Sequence, residues 1–225
     1  MRNFAAAGSQ RWLQVAVNRK PQLLLGTLQR SGAIPPRASV TWCSPLENEN
    51  FQEYRDGKAL EKAGIVPGSL KKGLQEFWPA RGPVWDAVGI TSEGHPLFLE
   101  AKAHIPEAAS PATRATPASL KLIARSLGEA RRFYAPKATA AWHSLFYQYA
   151  NRLAHHYFLT EVNSLRSALV FLYFVNADDM LGPMSEEEWH GAVRLIHAAL
   201  GLPKDLTRYR VFEAFLDVRL LQEAL

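Results

Sequence analysis

Residues 83–104 read PVWDAVGITSEGHPLFLEAKAH, two apolar runs around a polar bend. Val84–Ile90 is rich in β-formers, and Leu97–Ala103 is mostly apolar. Thr91-Ser92-Glu93-Gly94-His95 between them carries turn chemistry, so the spacing predicts a β-hairpin. Centred on Glu93, that hairpin sets Asp86 opposite Glu100. Directly opposed side chains lie about 4.5–5.5 Å apart at Cβ. Two ionised carboxylates that close repel unless one is protonated or a cation lies between them. The two-residue period of a strand puts Glu100, Lys102 and His104 on one face. Leu99, Ala101 and Ala103 fall on the other, an apolar face suited to a core.

An acidic pair with a lysine beside it suits metal-assisted hydrolysis of a phosphodiester. Carboxylate oxygens hold a hard cation such as Mg²⁺ together with several waters. The cation polarises the phosphoryl oxygen and acidifies a bound water. A nearby ammonium can position that water or neutralise charge building on the phosphate. The same residues also allow a plainer reading, an edge hairpin with a solvated polar face.

Asp86, thirteen residues and then Glu100-Ala101-Lys102 on a hairpin resembles the PD-(D/E)XK, restriction-endonuclease-like nuclease superfamily. Trp85 precedes Asp86 where that pattern often has proline, and the nearest proline is Pro83. The resemblance implies a small mixed sheet with the active site at one end. It implies Asp86 and Glu100 as ligands of Mg²⁺ (or Mn²⁺), and Lys102 acting on the attacking water. Superfamily members often add a glutamate from a helix before the first core strand. Glu76 is the best placed, with Glu53 and Glu61 as alternatives; as a plain surface residue Glu76 needs no role. DNA rather than RNA is favoured by the resemblance alone.

The chain has 225 residues, enough for one large domain or two small ones. Its net charge of +5 leans toward an anionic partner. A single cysteine, Cys43, excludes an intrachain disulfide and a cysteine-based zinc cluster. The N-terminal segment lacks the apolar run of a signal peptide, and no run is long enough to span a bilayer. These features lead us to expect a cytoplasmic protein without a membrane segment.

Ser9–Gln29 reads as a helix capped by Ser9 and split or kinked at Pro21. Ala38–Cys43 reads as a strand, about Phe51–Ala63 and Ser69–Trp78 as helices, and Ile105–Pro117 as a loop. A loop of that length beside an active site is often functional, and Glu107 lies within it. Ala118–Tyr134 is helical by its 3–4 spacing. Residues 111–137 hold six basic residues (Arg114, Lys121, Arg125, Arg131, Arg132, Lys137) against one acid, Glu129. Such a patch attracts a phosphate backbone or is a solvated helix face, as Arg125 and Glu129 at i,i+4 suggest. Ala138–Thr160 reads as a largely buried helix with a polar stripe of Gln148, Asn151, Arg152 and His155. That stripe either faces the hairpin or ties the helix to neighbouring loops, and it must be hydrogen-bonded. His155 and His156 cannot face one way on a helix. Ser167–Val175 reads as a buried strand, Ser185–Leu200 as a capped helix, and Arg210–Val218 as a strand or a helix.

This order predicts an α/β layer fold, a central mixed β-sheet flanked by helices. We expect one domain over 1–225, with 1–68 as an N-terminal extension and 69–225 as the nuclease-like core. The leading expectation is a metal-dependent nuclease, with His104, Arg114, Lys121, Arg125, Gln148 and Arg152 touching nucleic acid, possible also as a homodimer. A non-catalytic nucleic-acid-binding module of the same fold and a protein-interaction scaffold are the alternatives.

Overall fold

The computed structural model describes residues 3–223. In chain order the elements are α1 (Gly8–Asn18), α2 (Pro21–Arg30), β1 (Val40–Ser44), β2 (Tyr54–Arg55), α3 (Asp56–Lys62) and α4 (Leu74–Phe77). Next come β3 (Val84–Trp85), β4 (Ala87–Thr91), β5 (Pro96–Lys102), α5 (Ile105–Ala108), α6 (Pro117–Tyr134) and α7 (Tyr147–Tyr157). The chain continues through β6 (Ala168–Val175), α8 (Glu186–Leu200), β7 (Val211–Asp217) and α9 (Arg219–Gln222).

Five strands form one mixed sheet in the order β1-β4-β5-β6-β7. β1, β4 and β5 pair antiparallel, while β5, β6 and β7 run parallel. The hairpin register is the one centred on Glu93: Ala87 faces Leu99, Val88 faces Phe98 and Gly89 faces Leu97. β2 and β3 make a separate two-stranded ribbon.

The alternation along β5 divides the core in two. Leu97, Leu99, Ala101 and Ala103 join one apolar cluster with Trp12, Leu24 and Leu28 of α1 and α2. Phe98 faces the other, with Leu127 of α6, Leu153 of α7 and Trp189 of α8. All eight residues of β6 are buried because helices cover both faces and strands flank both edges. Its lack of alternation is what a doubly covered parallel strand requires. No helix among the described residues is long and apolar enough to cross a membrane.

Several boundaries differ from the sequence expectation. The N-terminal segment is not appended to a core: β1 forms an edge of the main sheet, and α1 and α2 cover one of its faces. The helix splits at Pro21 as expected, but Ala7 holds the cap position of α1 and the Ser9 hydroxyl instead donates to Glu107. The helix expected from Phe51 starts only at Asp56, because Tyr54 and Arg55 pair with Trp85 and Val84. The helix expected from Ala138 starts only at Tyr147. Trp142 is drawn off to donate to the Leu200 carbonyl, and Phe146 takes a left-handed conformation (φ 47°) just before the helix. The 105–117 loop begins with the short helix α5. Ser185 caps α8 as expected, and of the two readings of Arg210–Val218 the strand holds, over Val211–Asp217.

Candidate active site

The site forms where the chain passes from the β2–β3 ribbon into β4 of the main sheet. Ala87 with Leu99 is the last pair of the β4–β5 ladder, and the chain before it belongs to the small ribbon. Beyond that pair the backbone N–H of Ala101 has no strand partner on that side. Asp86, at the step between ribbon and sheet, is not paired directly opposite Glu100, where the hairpin spacing predicts it; it lies outside the ladder and accepts the Ala101 hydrogen bond at 2.7 Å through Oδ2. A buried N–H left without a partner is costly, so this bond fixes the aspartate over the end of β5. Glu100 and Lys102 project from β5 on the same side as Phe98. The parallel strands β5, β6 and β7 end at this edge, where open α/β sheets generally place their sites.

Glu100 is 1% exposed. Lys102 Nζ donates to its Oε1 at 2.5 Å, and Arg152 of α7 donates to its Oε2 from Nε at 2.6 Å. Arg152 is held in turn by the Val84 carbonyl and Asn151 Oδ1, with its guanidinium 5.0 Å above the Trp85 ring. Burial disfavours the Glu100 charge, but Arg152 and Lys102 outweigh it and hold the carboxyl below its ordinary pKa. Burial also disfavours the Lys102 charge, yet Glu100 and Asp86 keep its pKa above the ordinary lysine value. Lys102 is therefore a fixed cation, not a base. Asp86 goes the other way: burial first and the Glu100 charge second push it up to about 7. The two carboxyls thus differ in character. Glu100 is doubly paired and anionic, while Asp86 is poised to change charge near neutrality.

Of the three upstream glutamates, Glu53 is the one whose charge couples to this cluster. Burial raises its pKa, and Glu100 adds to the rise against a hydrogen bond from Gln10 Nε2 at 3.0 Å. Glu76, the expected choice, is exposed, and its carboxylate accepts from the Gly73 N–H at the start of its own short helix. That backbone bond uses the side chain locally, as helix starts commonly do. Glu61 is exposed and pairs with Lys58 at 2.8 Å. Glu107 binds the Ala103 N–H at 2.7 Å and the Ser9 hydroxyl, tying α5 to α1 at the rim. His104 stands 3.5 Å from Glu107, and its buried Nδ1 makes no hydrogen bond.

The residues expected on nucleic acid are not equivalent. The polar stripe of α7 does face the hairpin, but Arg152 is 3% exposed and spent on Glu100. It is a structural partner of the acid and has no free donor face for a phosphate. Gln148 lines a small cavity with Glu100, Lys102, Tyr149, Phe171 and Tyr173, with room for about one water. His155 donates from Nδ1 to the Asn151 carbonyl, whereas His156 Nδ1 meets the Tyr134 hydroxyl, so the two rings turn apart. Arg114 and Lys121 are exposed. Arg125 is exposed too, but it donates to the Glu76 carbonyl at 2.5 Å and lies 3.8 Å from Glu129.

Among the described residues, no three or more His, Cys, Asp or Glu side chains form a metal cage. Two carboxylates at one edge suit a different kind of site. Mg²⁺ keeps several waters and takes one or two carboxylates plus substrate oxygens. Asp86 uses one oxygen on Ala101, and each Glu100 oxygen accepts a single cationic donor, so lone pairs remain on both. The donor set fits a water-rich hard cation and does not fit zinc.

Neither family models, nor curated proteins, nor solved structures give a match to this chain.

Sequence reasoning did not assign Arg152 to Glu100. The available signal was its place in the polar stripe of an otherwise apolar helix, since a buried arginine there requires an acid. It also missed Glu213 on β7, which burial and then Asp205 push up to about 7. Glu213 pairs in register with Phe171, itself beside Glu100, and lies 3.8 Å from His197.

Proposed function

We propose that this protein is a Mg²⁺-dependent nuclease of the PD-(D/E)XK, restriction-endonuclease-like kind, hydrolysing phosphodiester bonds, with DNA the favoured substrate. The observation that supports the reading is that Asp86, held on the Ala101 N–H, and the Glu100–Lys102 pair meet at the end of β5, in the chain order of that motif. Asp86 and Glu100 are the groups that would hold the cation; Glu53 does not complete a three-acid cage with them, but its charge couples to Glu100. When bound, the cation supplies Lewis-acid polarisation of the phosphate and a more acidic water. Lys102, fixed as an ammonium by Glu100, places positive charge where negative charge builds on the phosphate. The Ala101–Asp86 hydrogen bond and the Arg152 clamp hold both acids in place before substrate arrives, so orientation is set in advance. Lys121 and Arg114 are exposed and free to meet a phosphate backbone.

A second reading has its own observation. Both Glu100 oxygens are already paired with cations, which suits a non-catalytic nucleic-acid-binding module. Plasmid incubated with and without Mn²⁺ separates the two. Metal-dependent cleavage supports the nuclease; salt-sensitive DNA binding without cleavage supports the module.

The glutamates give a sharper contrast. Glu53→Gln should lower Mn²⁺ affinity and cleavage roughly 10–100-fold, the range typical of supporting groups around a metal. Glu76→Gln should leave both unchanged in parallel titration and cleavage assays. Equal effects of the two substitutions would remove Glu53 from the site.

A further inference from the structure

α7 carries a buried polar atom that the fold leaves unpaired. His155 is 6% exposed, and its Nδ1 donates to the Asn151 carbonyl. Nε2 is therefore a bare lone pair, and it has no hydrogen-bond partner among the described residues. Burial pushes the ring down to a pKa of about 3, so it stays neutral and Nε2 stays an acceptor. A buried acceptor left unpaired is costly, so the place calls for a donor. The atom faces the Cα of Gly82. A side-chain carbon on Gly82 would lie 3.2 Å from His155 Nε2, 2.8 Å from Asp56 Oδ1 and 3.5 Å from Trp78 Cδ1. Asp56 is held there by the Arg81 and Gly82 N–H groups at 3.1 and 2.8 Å. His155 and Asp56 also line a small inner space with Leu60, Leu74, Trp85 and Phe98, with room for about one water or one amino group. Directly outside it, and sharing Asp56, Leu60 and Leu74 with it, a cavity of about 370 Å³ opens to the surface. That volume is in the range that holds a small ligand. Leu60, Pro67, Leu74, Trp78 and Pro79 give the cavity apolar walls, and Asp56 and Glu76 give it two carboxyls. No lysine or arginine among the described residues lines it, although the whole chain is net +5.

We propose that this cavity binds a small primary amine with a compact apolar body. The ammonium enters the inner space and donates to His155 Nε2 and Asp56, while the body lies against Leu60, Leu74 and Trp78. The ligand class follows from the lining. An ammonium carries three donors and no acceptor, which matches an imidazole lone pair beside a carboxyl. An anion would meet two carboxyls and a lone pair with no cation to offset them. The inner space admits a single amino group, and the outer cavity supplies the apolar surface for the rest of the molecule. The site shares no side chain with Asp86, Glu100 and Lys102, so it stands or falls without the nuclease reading.

The test uses benzylamine as the probe, with benzyl alcohol and benzoate as its neutral and anionic counterparts. Calorimetry should show saturable binding that weakens from benzylamine to benzyl alcohol to benzoate. In histidine ¹⁵N spectra the His155 Nε2 resonance should move as benzylamine is added. His155→Phe keeps an aromatic ring among Phe77, Trp78 and Trp85 and removes the lone pair. It should weaken benzylamine roughly 10- to 150-fold, the range of a hydrogen bond to a charged group. Gly57→Leu serves where that variant fails to fold. Gly57 lines the cavity from α3, and a Cβ added there meets nothing within 4 Å. Leucine also suits a helix better than glycine, so this variant should keep the fold by circular dichroism and weaken benzylamine by filling the cavity. A folded wild type that gives no saturable benzylamine binding, with a water alone in the inner space, overturns the proposal. Benzoate binding as tightly as benzylamine overturns it too, as does benzylamine binding that neither variant weakens.

Discussion

Lys102→Ala should fold and lose metal-dependent cleavage by about 10²–10³-fold in kcat, the usual cost of removing one group aimed at developing charge. Asp86→Ala should lose cleavage as well, together with cation affinity. The checks are plasmid cleavage in Mn²⁺, calorimetric cation titration and circular dichroism for the fold. Both variants cleaving at the wild-type rate with the fold intact would refute the assigned roles. The same site predicts a pH dependence. The Asp86 carboxyl, ordinarily near 3.8, is pushed up to about 7 by burial and by Glu100. The folded protein thus binds this proton more tightly than the unfolded chain does. The resulting stabilisation is complete below about pH 4 and is lost as pH rises through about 7. Metal-free protein should show a falling Tm over that interval, and Asp86→Asn should flatten the fall. Cation affinity should run in the opposite sense, rising from about pH 6 to 8 as the aspartate ionises. A metal-free Tm that rises across this window in the wild type but not in the variant would contradict the arrangement.

Arg152→Ala should be the most destabilising single change at the site. It leaves Glu100, 1% exposed, with Lys102 as its remaining cationic partner. Breaking a buried ion pair from one side costs about 3–5 kcal/mol. For a chain of this size that corresponds to a fall in Tm of roughly 6–20 °C. Arg152→Lys should cost less, since it keeps a charge but not the planar fork that reaches Glu100, Val84 and Asn151 together. Adding Glu100→Gln to Arg152→Ala should recover part of the loss, because the stranded charge is gone. Thermal melts of the four-member cycle give the coupling directly. Additive losses would mean that the two side chains do not depend on each other.

The hairpin was legible because turn chemistry and the two-residue period act over a few residues. The 91–95 turn, closed by hydrogen bonds between Thr91, Gly94 and His95, sets the register, and the faces of β5 follow. β6 was legible for a different reason: a strand covered on both faces must be apolar throughout. What the sequence hid depends on distant segments. Tyr54 and Arg55 have no strand signature of their own and become one only by pairing with β3. Helix periodicity could not show that Trp142 is drawn off to Leu200, which delays α7 by nine residues relative to Ala138. Within the site, the Asp86–Glu100–Lys102 grouping came from local spacing. The choice of Glu53 over Glu76 did not, because Glu76 also satisfies a local rule, the helix start, and that rule claimed it.

The parallel pairing of β5 with β6 has a consequence for biosynthesis. Leu97 must wait for Ala168 to become its neighbour. At about 5–20 residues per second, translation takes several seconds to deliver that stretch. During the interval the β1–β4–β5 meander can form from chain already made, with one apolar border unpaired on the nascent polypeptide. Such a border is a template for strand addition by other chains. Ribosome-bound intermediates shorter than about 168 residues are therefore the point in this protein's life at which chaperone capture matters most.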